Sequence, residues 1–271
     1  MNETTIEEET IKKMKELFGW EIPVESVPLP SNGLLYDPNS ILYNRETVQI
    51  KAMTAKEEDI ITSNAYIKEG VMINKLVSSC LVDKNIDVDD LIIGDRDAIL
   101  ASIRIVSYGS NYDVSHNCNS CGHKNKISAN LTNVGIKRLN IEPVSPGKNL
   151  FSYTLPVMNI PVLFKFITAK DEIEQRKTIK NMEKLGIKSE SDSDITNFLK
   201  MCIVQVADNK NGQDINFFIE NMHANDSKAL RKFINNNQPG LDTNYSYNCE
   251  KCQSESSFRL PFNENFFWPN T

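Results

Sequence analysis

Two Cys-x-x-Cys pairs, Cys118-Asn-Ser-Cys121 and Cys249-Glu-Lys-Cys252, stand far apart in this chain, and each closes a matching stretch of sequence. The shift of 131 residues from position 118 to position 249 also carries Asp95 onto Asp226, Ala98 onto Ala229 and Ile103 onto Ile234. Without a gap it goes on to carry Gly109 onto Gly240, Ser115 onto Ser246 and Asn117 onto Asn248. The pattern reads as an internal duplication. Two half-sites, one from each copy, then make one tetrahedral zinc site that fastens the copies together.

The match extends upstream. Val48-Gln-Ile-Lys-Ala-Met-Thr-Ala-Lys-Glu57 resembles Val162-Leu-Phe-Lys-Phe-Ile-Thr-Ala-Lys-Asp171, a shift of 114, and Cys80 falls on Cys202, a shift of 122. The growing shift predicts insertions in the helical part of the second copy. Each Thr-Ala-Lys-acid run follows an apolar stretch of strand character and suits a helix start, because the Thr hydroxyl and the acid can exchange hydrogen bonds with the first-turn N–H groups.

The cysteines need a compartment. No stretch is long and apolar enough to span a bilayer, and the acidic N-terminus is not a signal peptide, so the chain is expected in cytoplasm. In that reducing setting paired cysteines read as metal ligands before disulfides. A redox dithiol is disfavoured because neither pair opens a helix, the location that depresses a reactive thiol's pKa. The first pair is flanked by His116 and His123, so a local site of two cysteines and two histidines is conceivable there. The second pair has no adjacent His. One shared site of Cys118, Cys121, Cys249 and Cys252, holding one structural Zn2+, is the simpler solution. Cys80 and Cys202 lie in apolar helical contexts and read as buried structural thiols.

Composition narrows the function classes. At 271 residues the chain can bury a sizeable core. A net charge of −6 with no block of basic residues disfavours a dominant nucleic-acid surface. The chain has no Gly-x-Ser-x-Gly, His-Glu-x-x-His, phosphate-loop or dinucleotide pattern, and its three histidines offer few general bases. Four thiolates would also leave zinc no open position for water. The chain therefore reads as a non-enzyme.

Residues 2–18 form an amphipathic pattern, with Ile11, Met14, Leu17 and Phe18 at helical spacing, either packed on the core or docked on a partner. Residues 22–47, rich in Pro, Asn and Gly, read as extended chain and turns. A strand at 48–53 precedes helices near 55–67, 70–82 and 95–106, the last with Gly94-Asp95 as its cap. Strands at 111–117 and 124–131 flank the first Cys pair, and a Pro-containing connection covers 133–160. The second copy repeats the order: strand 160–167, helices near 169–184, 191–206, 213–221 and 226–235, then strands 243–248 and 256–261. The aromatic tail around Phe266-Phe267-Trp268 reads as folding back on the core. The expectation is an α+β fold with an N-terminal arm over 1–21, a first repeat over 22–135 and a degenerate second repeat over 136–271. Each repeat has a strand, helices and a Cys-x-x-Cys β-hairpin, and the shared zinc site joins them.

One ordered set of residues carries a family resemblance: Val27-Pro-Leu-Pro-Ser-x-Gly33-x-x-Tyr36, Lys51-Ala-Met-Thr-Ala-Lys-Glu-Glu58, Ser102-Ile-Arg-Ile-Val-Ser-Tyr-Gly109 and Cys118-x-x-Cys121-Gly122. In this order the chain resembles the T4-like bacteriophage base plate protein family. The resemblance covers about residues 25–135. In the second half Arg104 becomes Asn235, and Ser107-Tyr108 becomes Gln238-Pro239. It implies a non-enzymatic hub assembly factor or minor structural subunit, with baseplate hub or tail-tube proteins as partners. The implied location is the host cytoplasm during assembly and the baseplate of the virion tail. A zinc-ribbon nucleic-acid or transcription-associated factor is the alternative, with Lys124, Lys126 and Lys251 beside the turns.

Overall fold

The structure is a computed structural model that describes residues 12–184, 194–260, 266 and 267. It is an α+β chain in which small antiparallel sheets and helices surround one hydrophobic core. Residues 12–18 are helical; the start of the expected arm lies outside the described residues. Strand β1 (Val24–Pro28) pairs antiparallel with β2 (Thr47–Lys51), placing Val27 opposite Val48. The turn between them needs glycine at position 33. Its φ is +72°, and a Cβ there would lie 2.3 Å from the Arg45 nitrogen.

Helix α1 (Ala55–Thr62) starts where the Thr-Ala-Lys-Glu run predicts. The Thr54 N–H and hydroxyl both donate to Glu57 Oε2, at 2.9 and 2.6 Å. The helix expected over 55–67 breaks at Ser63, whose hydroxyl caps a second helix, α2 (Asn64–Glu69). Helix α3 (Met72–Cys80) returns the chain to the sheet, where Leu81 bridges Ile50. Helix α4 (Ile93–Tyr108) follows and is buried along most of its length.

Asp95 does not cap α4. The N-cap is Ile92, and Asp95 lies inside the helix, fully buried. Its Oδ1 accepts from the Ser31 N–H at 2.9 Å, and its Oδ2 accepts from the hydroxyls of Ser31 and Tyr36. The Pro-Ser-Gly entry is thus tied to the central helix by one carboxyl group. Burial pushes the Asp95 carboxyl above its ordinary range despite these donors, and burial together with Asp95 raises the Tyr36 phenol.

Strands β3 (Asn111–Asn117) and β4 (Lys124–Asn130) form the first hairpin. The expected connection over 133–160 carries two strands of its own, the short β5 (Ile136–Lys137) and β6 (Phe151–Thr154). Strand β6 pairs with β7 (Pro161–Phe164). Thr168 then repeats the cap: its N–H and hydroxyl donate to Asp171 Oδ2, each at 2.9 Å, at the start of α5 (Ala169–Lys184). Helix α6 (Asp194–Cys202) stops short of the expected 206. Ile203–Val206 leave it as strand β8, which completes a three-stranded sheet against β7. Helices α7 (Gly212–Glu220) and α8 (Ala224–Asn237) follow. The carboxylate of buried Asp226, in the first turn of α8, accepts from the Val157 and Met158 N–H groups at 2.7 and 3.0 Å. Strand β9 (Gly240–Leu241) pairs with β5, and β10 (Asn244–Asn248) with β11 (Glu255–Arg259) forms the second hairpin.

The two halves share one buried cluster, which includes Leu76, Ile99, Phe151, Phe164 and Leu230. The Ile93 N–H donates to the Ile167 carbonyl at 3.0 Å, and the Ala169 N–H to the Leu91 carbonyl at 2.8 Å. Buried Arg96 pairs with Asp97 at 3.1 Å and reaches Glu172 of the other half at 2.7 Å. Position 94 admits only glycine, because an added Cβ would sit 1.8 Å from the Pro239 carbonyl oxygen. Cys80 and Cys202 are both buried, as read from their apolar contexts. Phe266 and Phe267 are buried too. Arg104 donates to the Phe266 carbonyl at 3.0 Å and lies over the Tyr112 and Phe266 rings. Trp268 lies outside the described residues.

Glu57 is buried beside Lys51, 3.2 Å away. Burial would raise its pKa, but the Ser79 and Thr54 donors and Lys51 outweigh it and hold the carboxyl at about 2. Its folded-state value lies below its unfolded one, so its stabilisation is present above the ordinary carboxylate range and is lost as pH falls toward about 2. Urea unfolding across that range should lose less stability in Glu57→Gln than in the parent, and at neutral pH the variant should be weaker by about 3 kcal/mol.

Candidate metal centre

Each Cys pair sits in a hairpin turn, and the two turns are built alike. In the first, the Cys118 N–H donates to the His123 carbonyl at 2.8 Å and the Gly122 N–H to the Cys118 carbonyl at 2.9 Å. In the second, the Cys249 N–H donates to the Ser254 carbonyl at 3.0 Å and the Gln253 N–H to the Cys249 carbonyl at 2.9 Å. Gly122 and Gln253 both take positive φ, +69° and +58°, which curls each turn so that its two sulfurs point the same way.

The hairpins face each other. All four sulfurs, of Cys118, Cys121, Cys249 and Cys252, lie within 4.8 Å of one another. The Cys118–Cys252 and Cys121–Cys249 pairs are each 3.7 Å apart. These are not disulfides, and all four cysteines are free thiols. An ion about 2.3 Å from each of four sulfurs would sit in a tetrahedron with edges of about 3.8 Å, so the spacing fits a tetrahedral thiolate site. Among the described residues no other His, Cys, Asp or Glu joins this group.

The surroundings favour anionic sulfur on two of the four. The hydroxyls of Ser254 and Ser256, each 3.4 Å from Cys118 Sγ, lead the causes that lower that thiol to about 5, with the Cys121 and Ser120 N–H groups behind them. At Cys249 burial opposes ionisation, but the Cys252 and Lys251 N–H groups bring the thiol down overall. Cys121 goes the other way. Against the lowering pull of the His123 N–H, burial and the neighbouring thiols push it up to about 11. Close thiols cannot all ionise without a cation among them. Cys118 and Cys249 are buried, whereas Cys121 and Cys252 are exposed, so an ion has a route in from one side.

The flanking histidines have other work. His116 Nδ1 is hydrogen-bonded to the Tyr247 hydroxyl at 2.9 Å, and its ring stacks on Phe258 at 5.0 Å. His123 contributes its backbone to the turn. The structure thus assembles the four cysteines and does not assemble a local site of two cysteines and two histidines.

Sequence reasoning passed over the residues that hold the hairpins together. Buried Asn125 donates to the His123 carbonyl and accepts from the Glu250 N–H, each at 2.9 Å, and so stitches one turn to the other. Ser256, which reaches Cys118, occupies the matching place in the second stretch: the 131-residue shift carries Asn125 onto it. A polar residue at the same position after both Cys pairs was the available signal.

A family model described as T4 bacteriophage base plate protein matches residues 27–268. The chain belongs to that family. The match runs past the first hairpin, where the sequence resemblance is clearest, and takes in the second hairpin and all four cysteines. As a base plate family member the chain is a structural protein of the phage baseplate and works among other baseplate proteins. No curated protein and no solved structure matches it. No helix among the described residues is long and apolar enough to cross a membrane.

Asn125→Ala would remove the buried amide that bonds both turns, to the His123 carbonyl and the Glu250 N–H. It should cost about 1–3 kcal/mol in chemical unfolding. An unchanged midpoint would mean that Asn125 is not what couples the hairpins.

Proposed function

We propose that the chain is a non-enzymatic baseplate protein, a hub assembly factor or minor structural subunit, whose two halves are clamped by one structural zinc ion. The family match across both hairpins is the observation that carries this reading. The cofactor assignment draws on the four converging sulfurs, whose number, softness and spacing suit Zn2+ in a closed shell with no site for substrate water. Hub or tail-tube proteins are the partners, met in the host cytoplasm during assembly and kept in the virion baseplate.

The halves are read as copies of one unit, the first over 22–135 and the second over 136–271, preceded by an arm over 1–21. The matched details support this. Each half has a Thr cap at a helix start, at Thr54 and Thr168. Each has a buried Asp holding an entry turn, Asp95 and Asp226. Each has a Cys hairpin of the same turn geometry. His116 and Tyr247, which the 131-residue shift superposes, touch each other, as residues near a pseudo-two-fold axis would.

Elemental analysis of the natively purified protein should find one zinc per chain, lost together with the fold on chelation. Cys118→Ser and Cys249→Ser should lower metal content and stability equally, because each removes a ligand from the same ion. His116→Ala and His123→Ala should leave metal content unchanged. Two zincs per chain, or one hairpin that keeps its zinc alone, would overturn the shared clamp. The baseplate role is checked separately: the protein mixed with purified hub and tail-tube proteins should co-elute with one of them, and a monomer that none of them retains would count against it.

A further inference from the structure

Four thiolates around one divalent cation carry negative charge in excess, and a partly buried centre has to meet it with N–H and O–H donors. The backbone supplies part of this in the same way on both sides. The Ser120 N–H donates to Cys118 Sγ at 3.4 Å, and the Lys251 N–H takes the matching place at Cys249.

Side chains supply the rest, and unevenly. Among the described residues the only hydroxyls or amides that reach the four sulfurs are those of Ser254 and Ser256. Ser256 is buried, and its Oγ lies 3.4 Å from Cys118 Sγ, across the junction of the hairpins. Ser254 is half-buried, and its Oγ lies 3.4 Å from Cys118 Sγ but 2.9 Å from Cys252 Sγ. Neither hydroxyl has another partner, so without sulfur the buried Ser256 would be left unsatisfied. Each hydroxyl has one proton to give. Ser254 therefore serves the nearer sulfur, Cys252, and leaves Cys118 to Ser256. The 131-residue shift sets these serines against His123 and Asn125, which have no hydroxyl. Asn125 spends its amide on the other turn.

We propose that Ser254 and Ser256 are positioning residues of the metal centre: they donate to the Cys252 and Cys118 thiolates, and the charge they draw from sulfur sets how tightly the ion is held. Backbone donors come with the turn and give both hairpins a common base. The hydroxyls add to one sulfur of each hairpin and leave Cys121 and Cys249 with backbone donors alone. Ser256, on the second hairpin, acts on a ligand of the first, so the support of the ion is shared across the junction. This role rests on the shared zinc clamp of the preceding section, and the variants below separate the two.

Zinc affinity of the full-length protein, measured by competition with a chromophoric chelator, tests the role. Ser254→Ala and Ser256→Ala should each lower the affinity about 10–100-fold. Ser254→Thr keeps the hydroxyl and should bind as the parent does. Ser257→Ala, at an exposed position of the same strand, should change nothing. Co2+ bound in place of zinc gives a second readout. Without a hydroxyl the sulfur holds its electrons less tightly, so the thiolate-to-cobalt charge-transfer band should move to longer wavelength in both alanine variants and stay in place in Ser254→Thr and Ser257→Ala. Circular dichroism checks that the variants fold, and half-buried Ser254 keeps the test open if Ser256→Ala does not. Parental affinity in the alanine variants would overturn the role and leave the clamp standing. A lowered affinity with an unshifted band, or one that Ser254→Thr shares, would mark the hydroxyls as packing alone and overturn it too. A parent that binds neither zinc nor cobalt would overturn role and clamp together.

Discussion

Four thiols within 4.8 Å of one another set a condition that the rest of the chain has to meet. Sulfur prefers to ionise where N–H and O–H groups point at it, as they do at Cys118, yet a second and third thiolate at that range repel the first. The conflict is visible in Cys118 and Cys121, pulled in opposite directions. A cation at the centre would remove it. An ion there would also fix long-range geometry, pinning residues 118–121 against 249–252 in hairpins that follow different helices. Asn125, the Ser254 and Ser256 hydroxyls and the His116–Tyr247 contact then hold the pairing by ordinary hydrogen bonds and ring packing.

Away from the hairpins the same economy recurs with carboxylates. Asp95 and Asp226 are both buried, and both hold an entry turn against a helix. They use different donors. Asp95 takes one N–H and two hydroxyls, and Asp226 takes two N–H groups. A buried carboxyl without such partners would be costly, so each turn must present its donors in register with the helix. That requirement explains why the Pro-Ser-Gly stretch holds one shape without belonging to a regular element.

What the sequence made legible was local or repeated. The Thr54 and Thr168 caps are four-residue signals, and the structure has both. The Cys pairs announce turns because two thiols with two residues between them can point at one ion, and the recurrence of the pair pointed to a shared cluster. What was missed depended on distant chain. Ile203-Val-Gln-Val206 continues the apolar pattern of α6, and only pairing with Val162–Phe164 makes it a strand. Strand β6 hid in a Pro-containing connection for the same reason: its partner, β7, decides it. Asp95 looks like a cap by position and composition, but the hydroxyls it serves come from Ser31 and Tyr36, about sixty residues earlier. Backbone propensity is a weak prior where such contacts compete with it.

On the tandem reading, the places where the halves differ matter as much as the matches. Arg104 has no counterpart, since Asn235 stands there, and the first half spends that guanidinium on the Phe266 carbonyl near the end of the second. Helix α7 lies in the second half where the first has only the short turn Val88–Asp90, and its Phe217 is 70% exposed. A symmetric dimer of single units would offer each face twice and favour isologous contacts. Joining the units lets the two faces diverge, so that one chain can hold two different neighbours, as a protein set among unlike baseplate subunits must.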